Sequence, residues 1–212
     1  MEFLPEALEL YVEQHTAEET DLLRQLNRET NARIMMPRML SGHLQGRFLA
    51  MMSHMIKPKN ILEIGTYTGY SAICLAEGLQ EGGTLYTIDI NEELEDLVRG
   101  YFDKAGIADK TQYHIGNALN IIPTLPGTFD LVFIDADKIN YARYFDLVIE
   151  RINIGGYILT DNVLWSGKIL DDKKDKDTAA IDAFNKKLTD YPRVETVMVP
   201  IRDGILIARK TI

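Results

Sequence analysis

The sequence has a single cysteine, Cys74, which excludes an internal disulfide. It also has no long apolar run. Its longest apolar stretches are strand-sized, such as 131–134, far short of the ~20 residues that a membrane-spanning helix needs. The beginning of the chain lacks the positive charge of a signal peptide and carries Glu2, Glu6 and Glu9 instead. These absences lead us to expect a cytoplasmic protein in a reducing compartment. Basic charge is in deficit as well. Lys and Arg total 23 against 32 Asp and Glu, a net charge of −9. That balance argues against a nucleic-acid or membrane partner, though it leaves room for a local basic pocket. Repeats, low-complexity tracts and linkers are also missing. With 46% of its residues hydrophobic and 26% charged, the chain is neither disordered, collagen-like nor a disulfide scaffold. We expect one domain spanning 1–212.

Within it, a helical lead (1–57) precedes an alternating body (58–212). Leu4, Ala7, Leu8 and Tyr11 recur at helical spacing, as do Leu22, Leu23 and Leu26, and then Phe48, Leu49, Met52 and Met55. Pro37 and the Ser41-Gly42 pair interrupt the lead, and Pro58 closes it. Beyond Pro58, apolar runs at 61–64, 84–89, 112–115, 130–134 and 157–160 read as strands, with helices near 70–80, 92–105, 118–122 and 140–152. This is the signature of an α/β fold, a parallel sheet with helices on both faces. A charged run at 171–177 leads to a helix near 178–189. Strands at 194–200 and 204–208 then flank a short link, Arg202-Asp203-Gly204, as in an antiparallel hairpin. The charged run reads as solvated and placed to act as a lid.

The first strand runs into Glu63-Ile64-Gly65-Thr66-Tyr67-Thr68-Gly69-Tyr70-Ser71, a glycine turn that opens a helix. Asp89 ends the second strand, where a doubly wound fold places a ribose-binding carboxylate. The turn contains no GxGxxG, which disfavours an NAD-dependent oxidoreductase, and no Gly-Lys-Ser/Thr, which excludes a phosphate loop. It is either an ordinary strand–helix turn or a ligand site. The acid ahead of the glycines suits a ligand with a positive end, such as the sulfonium and amino groups of S-adenosylmethionine.

Acids gather at later strand ends. Asp135-Ala136-Asp137-Lys138 follows the fourth strand, and Asp161-Asn162 follows the fifth. Ligands of open parallel sheets bind outside the carboxyl ends of the strands, and neighbouring strands lie about 4.8 Å apart. Asp135, Asp161 and Asn162 therefore form a candidate hard-oxygen set for Mg²⁺ or Ca²⁺, with no His or Cys nearby. Taken singly, each acid reads equally well as a helix or turn cap.

Together these motifs resemble the cation-dependent class I S-adenosylmethionine O-methyltransferases. That group includes caffeoyl-CoA 3-O-methyltransferases, bacterial relatives and, more distantly, catechol O-methyltransferases. The resemblance runs nearly end to end. Its most specific parts are Phe133-Ile134-Asp135-Ala136-Asp137-Lys138-Ile139-Asn140-Tyr141 and Asp161-Asn162-Val163-Leu164-Trp165-Ser166-Gly167. It implies a Rossmann-like class I methyltransferase fold, a seven-stranded, mostly parallel sheet with a C-terminal antiparallel hairpin, helices on both faces and extra N-terminal helices. By resemblance, Glu63, Gly65, Thr66, Tyr67 and Ser71 form the cofactor loop, Asp89 holds the ribose, Ala118 lies beside the adenine, and Ser41 and Asp137 also touch the cofactor. Asp135, Asp161 and Asn162 match the metal ligands, with Mg²⁺ expected ahead of Mn²⁺ or Ca²⁺. Lys138 matches the catalytic lysine, acting with Asp135, and Met39, Lys138, Trp165 and Ser166 match the substrate side.

The implied activity is methyl transfer from S-adenosylmethionine to a hydroxyl of a catechol-type phenol. Lys138 serves either as base or as electrostatic partner of the phenolate, and Trp165 is either an aromatic wall or a core residue. Residue 137 is Asp where animal catechol enzymes have tryptophan, which favours the caffeoyl-CoA-like and bacterial branch. The sequence departs from the family at His43-Leu44-Gln45-Gly46-Arg47, where His43 and Arg47 either shape the entrance or serve a helix face. A small phenolic acceptor and a homodimer are expected. The methionines at 35, 36, 39, 51, 52 and 55 exceed what one helix face needs, unless they are ordinary core. The competing readings are a nucleic-acid methyltransferase, a metal-independent small-molecule methyltransferase and a non-catalytic binding protein on the same scaffold. No Asn/Asp-Pro-Pro-aromatic motif supports the first, and the retained Asp135, Lys138, Asp161 and Asn162 argue against the last.

Overall fold

The structure is a computed structural model that describes residues 5–212, so the expected helical positions at 2–4 lie outside the described residues. The lead contains α1 (Glu6–Gln14), α2 (Asp21–Arg33), a 3-10 turn (Pro37–Met39) and α3 (Gly42–Ile56). The breaks at Pro37 and Gly42 fall where expected. A further break separates α1 from α2, because Thr20 caps α2 by accepting from the Leu23 amide at 3.2 Å. None of α1 is buried, whereas α2 buries Leu23, Leu26 and Thr30.

The body follows as β1 (Asn60–Ile64), α4 (Tyr70–Ala76), β2 (Thr84–Asp89), α5 (Glu95–Lys104), β3 (Thr111–Ile115), α6 (Ala118–Ile121), β4 (Phe129–Ile134), α7 (Tyr141–Val148), β5 (Ile152–Thr160), α8 (Lys176–Thr189), β6 (Val194–Val199) and β7 (Ile205–Lys210). Among the described residues, seven strands form one sheet in the order β3-β2-β1-β4-β5-β7-β6. β1 to β5 run parallel, while β7 lies antiparallel between β5 and β6. Side chains alternate across the sheet. Ile61 joins a core with Leu49, Ala72 and Leu131 on one face, while Leu62 and Ile64 join Val132, Phe145 and Phe184 on the other. Burial on both faces explains why 131–134 reads as a continuous apolar run, and why 61–64 does so apart from Glu63.

Several expected boundaries move, and the helix expected near 70–80 ends at Ala76. β5 begins at Ile152 rather than 157, because Ile152 pairs with Phe129 across an irregular register that resumes at Leu131 and Tyr157. The expected helix 140–152 is correspondingly shorter, ending at Val148 before a 3-10 turn. The charged run closes earlier than its composition suggests. Asp175 accepts from the Thr178 amide at 2.8 Å, so α8 starts at Lys176, and Lys174 pairs with Asp182 at 2.5 Å.

The parallel order reverses direction between β1 and β4, and the crevice outside their carboxyl ends is the switch point of the sheet. Gly65 is what lets these ends meet. Its φ is +105°, and a Cβ there would lie 1.9 Å from the Asp135 carbonyl oxygen, so only glycine fits.

Candidate active site

A cleft of about 1890 Å³ opens at this switch point. The ends of β1, β2, β4 and β5 form its floor, segment 35–43 and part of α1 border one side, and Trp165 and the 200–203 turn border another. Every residue expected at the site lines it except Glu63.

Glu63 lies beneath the floor with no solvent exposure. It accepts from the Thr87 hydroxyl at 2.5 Å, and its other oxygen has no partner among the described residues. Burial pushes this carboxyl up to about 8. Above it, Asp89 organises the turn by accepting from the Tyr67 amide at 2.6 Å and the Asn91 amide at 2.9 Å. Each Asp89 oxygen keeps a further acceptor site, which suits a pair of ligand hydroxyls. The Tyr67 hydroxyl donates to the Met35 carbonyl at 3.0 Å, tying the lead to the glycine turn. Ala118 opens α6 under an Asn117 cap.

The acids at the later strand ends meet because the ladder continues past the strands. The Asp135 amide donates to the Ile64 carbonyl at 2.9 Å, and the Asp161 amide donates to the Ile134 carbonyl at 3.0 Å. Asn162 takes a left-handed conformation, φ +58°, which asparagine tolerates better than most residues. The Lys138 Nζ sits 3.1 Å from Asp135 Oδ1, 2.7 Å from Asn162 Oδ1 and 2.6 Å from the Tyr141 hydroxyl oxygen. Asp161 is 3% exposed. Burial, and then the charge of Asp135, push its carboxyl well above the usual carboxylate range.

Among the described residues no three His, Cys, Asp or Glu side chains gather as a metal group. The set here is two carboxylates and an amide oxygen. Two of these oxygens already converge on one cationic nitrogen, and the third member is a buried acid short of positive charge, so the chemistry fits a hard divalent cation. Asp137 is held by the Tyr144 hydroxyl and by Asn140 Nδ2 at 2.5 Å. Trp165 lies on the wall, with the Lys138 Nζ 5.8 Å from its ring and its indole N–H buried and unpartnered among the described residues. Ser166 donates its amide to Asp203. Met39 stands exposed at the rim, and Ser41 is buried, with its carbonyl held by Arg202.

His43 borders the cleft and bonds the Ala17 carbonyl at 2.7 Å. Arg47 pairs with Glu77 at 2.5 Å and serves a helix face. Sequence reasoning gave no role to Tyr141, Tyr144, Gln45 or Arg202. The tyrosines lie close to the Asp135–Lys138 motif and could have been singled out by that proximity. The contacts of Gln45 and Arg202 span more than a hundred residues and leave no local signal.

A family model described as O-methyltransferase matches residues 13–211. Caffeoyl-CoA O-methyltransferase 1 of Eucalyptus globulus is 39% identical over 178 residues, covering 78% of this chain and 72% of that protein. Methyltransferase PaMTH1 of Podospora anserina, solved with SAH bound, aligns over 100% of both chains with a TM-score of 0.90 and 29% identity. The O-methyltransferase TomG from Streptomyces achromogenes, solved in complex with SAM, aligns over 97% of this chain and 96% of that one, with a TM-score of 0.89 and 27% identity.

Proposed function

The chain belongs to the O-methyltransferase family and is an S-adenosylmethionine-dependent enzyme of the caffeoyl-CoA O-methyltransferase type; from that premise we propose that it methylates one hydroxyl of a vicinal diol on a phenolic ring, assisted by a divalent cation. The observation that carries the reading is the convergence of Asp135 and Asn162 oxygens on the Lys138 nitrogen, beside the buried carboxylate of Asp161. Asp135, Asp161 and Asn162 would hold the cation, Mg²⁺ ahead of Mn²⁺ or Ca²⁺. When bound, such an ion orients two vicinal oxygens and lowers the pKa of a hydroxyl. The cofactor supplies the methyl group on a sulfonium.

The rest of the work falls to the chain. Asp89 and the Gly65–Ser71 turn bind the nucleoside end, Ala118 borders the adenine, and Ser41 and Asp137 border the methionine end. Met39, Trp165 and Ser166 shape the acceptor side and exclude water, so that oxygen, methyl and sulfur align. An ammonium has three N–H bonds, and those of Lys138 point at Asp135, Tyr141 and Asn162. In this arrangement Lys138 supplies positive charge next to the reacting oxygen.

The cofactor half is tested by calorimetry. S-adenosylmethionine binds the wild type, and Asp89→Ala weakens binding by about 1–3 kcal/mol, the cost of losing a charged hydrogen-bond partner. Heat of binding that Asp89→Ala leaves unaltered removes Asp89 from the site. We also assign a homodimer, because Met51 and Met55 on α3 and Met35 in the lead are 61%, 72% and 85% exposed, more apolar surface than a lone chain needs to show. Sedimentation at micromolar concentration is expected to give twice the 24.1 kDa chain mass, and a species of single-chain mass would refute the assignment. We assign a small phenolic acceptor to the cleft. No described helix is long and apolar enough to cross a membrane, and the free, buried Cys74 suits the cytoplasm.

A further inference from the structure

Gln45 lies behind the cleft wall on α3 and is fully buried. Its Nε2 donates to Asp161 Oδ2 at 2.7 Å. Its Oε1 accepts from the Arg202 guanidinium at 3.4 Å, and the same guanidinium donates to the carbonyls of Leu40 and Ser41. These neighbours fix the amide's orientation. Turned over, its oxygen would face a carboxylate and its NH₂ would face a guanidinium.

We infer that Gln45 is a positioning residue for Asp161, holding one carboxylate oxygen from behind so that its free acceptor sites and its charge serve the cleft. The inference rests on the cation reading above. The second oxygen of Asp161 takes the Asn162 amide at 2.7 Å, so both oxygens are fixed against rotation while each keeps a lone pair. A neutral amide does this without cancelling charge. A lysine or arginine in the same place would form an ion pair with Asp161 and compete with a cation. Arg202, in the turn between β6 and β7, braces Gln45 in turn. The lead and the C-terminal hairpin therefore meet behind one carboxylate.

The test is titration of the full chain with Mn²⁺ alone. Binding is read by Mn²⁺ electron paramagnetic resonance and by the fluorescence of Trp165, the single tryptophan. Gln45→Met keeps the side-chain length and removes the donor. It is expected to weaken Mn²⁺ binding about tenfold or more, as loss of a ligand's outer partner does, while S-adenosylmethionine affinity moves by less than about threefold. Arg202→Met, on an exposed turn, leaves the Gln45–Asp161 contact in place and is expected to cost about threefold. Unchanged Mn²⁺ affinity in folded Gln45→Met overturns the inference, and Arg202→Met decides in the same way if the first variant does not fold. Wild-type protein that binds no Mn²⁺ removes the cation reading and this inference together, an outcome distinct from tight wild-type binding that the variants share.

Discussion

Asp161→Ala is expected to lower the rate of methyl transfer by roughly 100-fold or more, about 3 kcal/mol of transition-state stabilisation. S-adenosylmethionine affinity should stay within about twofold, as expected for separate, independently built sites. The separation follows from the fold. Most of the proposed cofactor residues stand at the ends of β1, β2 and the start of α6, with only Ser41 and Asp137 elsewhere, whereas Asp161 follows β5 and faces Asp135 and Lys138. Steady-state kinetics with calorimetry on the same preparation checks both halves. A variant with near wild-type turnover would show that Asp161 is only a buried structural acid. Loss of cofactor binding along with activity would show that the two sites are not separable.

Lys138→Met is expected to cost about 100-fold in kcat, the scale for removing one group that stabilises developing charge. The side chain is 11% exposed, and its nitrogen is the point on which Asp135, Asn162 and Tyr141 converge. The comparison with Lys138→Arg separates charge from base chemistry. A guanidinium is always protonated and donates without accepting, though its fork differs in shape from an ammonium. If Lys138 supplies charge, Lys138→Arg should recover about tenfold over Lys138→Met. If the lysine is the base, the two variants will be equally slow, because neither a thioether nor a guanidinium can take up the proton.

Much of this site is legible in the sequence because strand ends write it. Ile61, Leu131 and Phe133 must be apolar on one sheet face, and Leu62, Ile64, Val132 and Ile134 on the other, so the first polar residues after each run mark the crevice. Parallel pairing of Ile134 with Thr160 then sets Asp135 beside Asp161. Glu63 breaks this rule. It stands inside β1 rather than after it, and its depth depends on Thr87 of the neighbouring strand, which no local pattern reveals. The start of β5 is hidden for another reason. Asn153, Gly155 and Gly156 carry no strand pattern, and their placement depends on an irregular register opposite β4. Trp165 and Ser166 adopt left-handed backbone at φ +46° and +53°, a conformation their residue types disfavour and their sequence does not announce. The Gln45 contact to Asp161 spans 116 positions and is set by tertiary packing alone.

The most direct test is methyl transfer from labelled S-adenosylmethionine to a catechol, with a single-hydroxyl phenol as control, first in excess EDTA and then with Mg²⁺ or Mn²⁺ restored. The expected result is no turnover in chelator, recovery on adding the cation, and strong preference for the vicinal diol because only it can present two oxygens to one ion. Full activity toward the catechol in excess EDTA would contradict the cation assignment of Asp135, Asp161 and Asn162 and would leave a metal-independent O-methyltransferase.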